Sequence, residues 1–266
     1  MKITIENTSS PGASFTPNTN EVLLKTYQWI KEHPGVHCTY HEFRMSLQRD
    51  KGVNDNNNRN IHPLLKNCGF VYYETRGSIS VDQFFTRTGL AYIKTLETLQ
   101  LVDDNSDYTP TQRREAKQKL ESIQKDLVYK ALTALFKEQD LNYIEPLKEF
   151  LSFALFFGKI SKPEFAYYLY AKKQGIDITN LANIQDTISS YRDGLIEFEV
   201  DVSVRNDIDL RERSRTERRK EGLSYLTSFT YFSSLMIQSG IMTKDSDYYV
   251  ISEAMRNRAN TLLEVE

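Results

Sequence analysis

Apolar residues recur along this chain at helical spacing, in runs separated by short polar breaks. From Asn20 to Glu32 the apolar positions are Val22, Leu23, Tyr27 and Ile30, and His33-Pro34-Gly35 closes the run. Thr39 followed by Glu42 is a capping box for a second helix, whose Phe43 and Leu47 face inward and which Gly52 ends. A polar loop, NDNNNRN at 54–60, leads to a short third helix with Ile61, Leu64, Leu65 and Cys68 apolar. Asn60 is its expected N-cap, Pro63 falls in its first turn, His62 and Lys66 point outward, and Gly69 ends it. From Phe70 the pattern predicts a two-stranded hairpin turned at Arg76-Gly77, and Thr86 or Thr88 opens an amphipathic helix to Leu101.

A polar linker at 103–109 precedes one long helix from Pro110 to Lys137. An apolar helix at 146–157 ends at Gly158, and Ser161 with Glu164 forms another capping box, opening a helix through Lys173. A third helix is expected over 180–192 and an alternating strand over 196–204. The aromatic stretch GLSYLTSFTYFSSLMIQSG then reads as a helix, 242–251 as a hairpin and 252–263 as a last helix. Helix, hairpin, helix thus occurs twice. The expected fold class is mainly α with small β-hairpin wings, as two tandem winged-helix-like (helix-turn-helix) domains. The division predicted is a flexible N-terminal arm at 1–19, a first domain at 20–102, a linker with the long helix at 103–144 and a second domain at 145–266.

Composition changes this picture little. The 266 residues carry a formal charge of -2, so bulk electrostatics do not announce a nucleic-acid partner. Basic residues do cluster locally: residues 111–130 hold six Lys/Arg against three Asp/Glu, which reads as a solvated connector helix or as a phosphate-facing one, and 205–220 hold seven against four. Sixteen Tyr and fourteen Phe suit a real core and exclude a disordered chain. The two cysteines, Cys38 and Cys68, form no CxxC, and the N-terminus lacks a secretion signal; both point to a reducing cytoplasm. No apolar run is long enough for a membrane span.

The candidate chemistry is recognition of double-stranded DNA. Asn and Arg pair bidentately with adenine and guanine edges, and Asn57, Asn58, Arg59 and Asn60 sit at the start of the third helix, where base contacts concentrate. His62 and Lys66 continue that face, and Arg76 tips the hairpin. The same asparagine run also reads as a solvated surface loop. In the second domain Ser224, Ser228 and Tyr231 lie on the polar side of the aromatic helix, with Arg211, Arg213, Arg215, Arg218 and Arg219 as phosphate candidates before it. Those arginines could equally pair with neighbouring acids along a wet face. His33, His37 and His41 are spaced by four, but Pro34-Gly35 prevents one helix from presenting them to a metal. Glu197, Glu199 and Asp201 share a strand face without the lysine a nuclease core needs. There is no phosphate-binding Gly-rich loop and no nucleophile motif, so no catalytic residue, metal site or cofactor is expected in this chain.

Three stretches carry a resemblance. GFVYYETRGSISVDQFFTRTGLAYIKT resembles the end of the first recognition domain of FokI- and AlwI-type restriction endonucleases and the nicking endonucleases related to them. PLKEFLSFALFFGKISKPEFAYYL looks like that family's next block, and TYFSSLMIQSGI with its hairpin is similar to its second winged helix. The resemblance spans roughly residues 20 to 264. It implies the DNA-recognition part of a type IIS-like restriction enzyme, with the Mg²⁺-dependent PD-(D/E)xK nuclease on another domain or subunit. A winged-helix transcription regulator and a protein-interaction module are the alternative expectations.

Overall fold

The computed structural model describes residues 1–5, 17–137, 144–200 and 224–264, without the side chains of residues 17, 56, 57, 60, 200 and 224–228. The protein is mainly helical with small sheets. Its contacts form two compact units: residues 14–139 with Ser234–Gly240 make the first, and 1–13, Asp140–Ser233 and Ile241–Glu264 make the second.

The chain opens on strand β1 (Lys2–Ile5), which belongs to the second unit. The first unit then runs α1 (Pro17–Glu32), β2 (His37–Thr39), α2 (Tyr40–Lys51), α3 (Asp55–Asn67), β3 (Ser78–Ser80), α4 (Arg87–Asp104) and α5 (Pro110–Leu135). The box at Thr39 and Glu42 forms as expected: the Glu42 N–H donates to Thr39 Oγ1 at 3.2 Å, and the Thr39 N–H donates to Glu42 at 2.8 Å. Gly52, at φ +66°, ends α2 in the left-handed region. β3 returns antiparallel onto β2, with Thr39 opposite Ser78 and His37 opposite Ser80. Phe43, Leu47, Leu65, Phe70, Phe84 and Ile93 fill the core beneath. Thr86 caps α4, and Gly89 in its first turn is obligatory, because a Cβ there would lie 2.0 Å from the Phe70 carbonyl oxygen.

The second unit contains α6 (Ile144–Phe157), β4 (Lys159–Ser161), α7 (Lys162–Lys173), α8 (Gln185–Arg192), β5 (Glu197–Val200), most of α9 (Ser224–Gln238), β6 (Met242–Asp245), β7 (Tyr248–Ile251) and α10 (Glu253–Leu263). β7 is central in its sheet, antiparallel to both β4 and β6. Glu164, fully buried, accepts the Ser161 N–H at 2.7 Å and the Arg192 Nε–H at 2.6 Å. Arg192 also donates to the Phe157 and Lys159 carbonyls, so one ion pair ties α8 to the start of α7 and the end of α6. Phe198 lies between the parallel rings of Tyr167 and Tyr191, at 4.6 and 4.3 Å.

Several expectations change. The first residues, expected within a mobile arm, form β1 and pair in parallel with β5, Lys2 opposite Glu197. α3 starts at Asp55, so the asparagine run is helix rather than loop, and Pro63 lies in the helix interior instead of its first turn. Asp55 supplies the acid that a first turn favours and that the low-propensity asparagines lack. The expected hairpin at Arg76-Gly77 is open. Val71 bridges Phe85, while β3 pairs with β2, a strand the sequence did not announce. The helix expected over 180–192 is divided into a 3-10 turn, Leu181–Ile184, and α8.

Candidate nucleic-acid interface

α3 sets the geometry. Its buried side carries Ile61, Leu64, Leu65 and Cys68, and also Asn58 and His62. Residues 58, 62 and 65 recur at the spacing of one helix face, so a start at Asp55 fixes their inward phase. The expected base contacts of Asn58 and His62 are therefore corrected: both side chains are fully buried and meet no ligand at the surface. Burial first, and the nearby Arg44 cation second, push the His62 imidazole down to about 3, so it is neutral at ordinary pH. Its Nδ1 lies 3.0 Å from the Tyr40 hydroxyl, and Tyr40 stacks on Tyr73 at 4.1 Å.

The outward side carries Arg59, Pro63 and Lys66, all exposed. Asp55 bridges two arginines: it pairs with the mostly buried Arg44 and with Arg59 at 2.6 Å. In this i,i+4 pair Asp55 is mostly buried and Arg59 is the exposed partner, so the guanidinium is open on its solvent side to a phosphate or a base edge. Lys66 donates to the Tyr73 carbonyl at 2.8 Å and lies over the Tyr73 ring. Arg76 is exposed at the turn formed by Gly77, whose φ is +92°. Two exposed cations on one helix face thus stand in the same unit as a third on a neighbouring turn.

The remaining sequence candidates divide in two. Asn57 and Asn60 belong to α3, and Ser224 and Ser228 to α9, but their side chains are outside the described residues. Arg211, Arg213, Arg215, Arg218 and Arg219 are likewise outside the described residues. Tyr231, on α9, is half-buried. The Arg44–Asp55–Arg59 bridge leaves one signal in the sequence, an acid placed four residues before Arg59. Arg87 and Lys130, which no sequence motif marks, rim a groove of about 380 Å³ bounded by Gly69, Ala91 and Ala131.

Elsewhere, Glu197 and Glu199 are exposed on β5, each 3.8 Å from the Lys2 ammonium on the adjacent strand. Among the described residues no three His, Cys, Asp or Glu side chains gather as a metal site, and no helix is long and apolar enough to cross a membrane. Cys38 and Cys68 are free thiols, and burial pushes the Cys68 thiol up to about 12. Comparison with known proteins gives no matching family model, no matching curated protein and no matching solved structure.

Proposed function

We propose that this chain binds duplex DNA sequence-specifically, as the recognition part of a type IIS-like restriction enzyme whose nuclease lies on another domain or subunit. The supporting observation is α3 in its setting. α1, β2, α2, α3 and a strand returning onto β2 follow the order of a winged helix, in which the third helix enters the major groove. The outward face of that helix carries Arg59 and Lys66, and Arg76 sits on the turn that a wing would present to the backbone. Arg59 is assigned to base edges and Lys66 and Arg76 to phosphates. The restriction setting rests on the sequence resemblance alone.

The net charge of -2 favours a second reading, a module whose turn docks another protein. Salt separates the two, because each phosphate contact contributes a slope of about -0.9 to log K against log salt and a protein partner has no such polyelectrolyte term. Arg59→Ala should relax preference at one or two base pairs and cost about 1–3 kcal/mol on the preferred duplex, read by fluorescence anisotropy. Equal weakening on every sequence, or none, would remove Arg59 from base contact.

A further inference from the structure

Two segments of the first unit recur later in the chain. Thr39-x-x-Glu42-Phe43-x-x-x-Leu47 matches Ser161-x-x-Glu164-Phe165-x-x-x-Leu169. Each begins on the last residue of a three-residue strand, β2 or β4, and follows a helix and a left-handed glycine, Gly35 or Gly158. Asn67-Cys68-Gly69-Phe70 matches Gln238-Ser239-Gly240-Ile241, where Gly69 and Gly240 take φ of +69° and +72° at the ends of α3 and α9.

A left-handed glycine followed by an apolar residue is a common helix ending, and a capping box is a common beginning. What is not generic is the burial pattern. With Gly69 set on Gly240, every buried position of 58–71 falls on a buried position of 229–242, and no other described position in either span is buried. The pairing agrees too: β3 returns onto β2, with Thr39 opposite Ser78, as β7 returns onto β4, with Ser161 opposite Tyr248.

We infer that the chain carries one unit twice, that α9 stands in the second copy where α3 stands in the first, and that only α3 keeps a cationic outward face, so that one helix and not two reads duplex DNA. The outward positions Arg59, Pro63 and Lys66 correspond to Thr230, Ser234 and Ile237. The first three are exposed and include two cations; the second three are uncharged, and Ser234 and Ile237 are half-buried. A helix face without cations offers no charge partner to a groove walled by phosphates. It departs from the expectation of two reading helices, whose phosphate candidates Arg211, Arg213, Arg215, Arg218 and Arg219 lie outside the described residues, and it rests on the DNA-binding reading above.

The test uses the full chain, a duplex chosen by selection from a random library, and anisotropy titrations over a salt series. Arg59→Gln with Lys66→Gln should lower affinity at least about tenfold and flatten the salt slope by up to about two. Thr230→Ala with Ser234→Ala, at two of the matching outward positions of α9, should leave affinity within about twofold, a change of under about 0.5 kcal/mol. Lys66→Arg, which keeps the charge, should restore most of the Lys66 share, and melting temperatures lowered by no more than about 4 °C should accompany all variants. Comparable losses from the α9 pair would overturn the one-helix inference while leaving DNA binding in place. A wild-type chain that enriches no duplex would remove the DNA reading itself, and the inference with it.

Discussion

On its buried side α3 carries Asn58 and His62, whereas α9 carries Phe229 and Ser233 at the matching places, all four almost completely buried. Ser233 satisfies itself, donating to the Thr230 carbonyl at 3.2 Å. Asn58 makes no hydrogen bond through either amide atom, and His62 makes none through Nε2. A buried polar group left unpaired costs about 1–3 kcal/mol, a cost that α3 carries at these positions and α9 does not. The first copy thus departs from the best packing directly under the face that carries Arg59 and Lys66, the pattern expected where function rather than stability set the residues.

The largest expected effect contrasts the two capping glutamates. Glu164→Ala leaves the Arg192 guanidinium without its carboxylate in a largely buried place and should cost about 3–5 kcal/mol by urea unfolding. Glu42→Ala, at the matching but exposed position, should cost far less. Equal losses would mean that the two copies depend on their capping boxes alike and that Arg192 adds nothing.

Acid sharpens the comparison next. The folded imidazole of His62 titrates near 3 and an unfolded one near 6.5, so between those values the unfolded chain binds the extra proton. The stability that His62 contributes is complete above about pH 6.5 and falls, by at most roughly 1.4 kcal/mol per unit, as pH drops toward 3. Urea titrations at pH 7.5 and pH 5 should show a loss in the wild type that is much reduced in His62→Gln. The same pH sensitivity in both proteins would place the titrating group elsewhere.

Asn58→Leu, which gives the first copy an apolar residue where the second has Phe229, should raise stability by about 1 kcal/mol. A loss would show that the amide is engaged in the folded protein. The smallest expected effect is none at all: with Mg²⁺ or Mn²⁺ the purified chain should leave supercoiled plasmid uncut. Cutting that disappears in Glu197→Ala would make the exposed Lys2–Glu197–Glu199 group a catalytic one.

Helix boundaries marked by side-chain chemistry were legible in the sequence: the Thr39–Glu42 spacing, Thr86 before α4 and Gly52 after α2 each mark an end that the structure shows. Long-range pairing was not legible. Nothing local to Lys2–Ile5 names Glu197–Val200 as its partner, and strands as short as β2 and β4 have too few residues for alternation to register. The site was legible only in part. Arg59 and Lys66 came out on the surface as expected. His62 lies three residues before Leu65, a spacing that already places it inward, whereas Asn58 falls in an expected loop and gains an inward phase only because the helix starts at Asp55.

The most direct measurement is enrichment of duplexes from a random library by the wild-type chain, sequenced over successive rounds at near-physiological salt. The expected result is one short consensus, with affinity that falls steeply with salt and an Arg59→Ala protein that loses preference at one or two of its base pairs. A library that stays random through every round would contradict it.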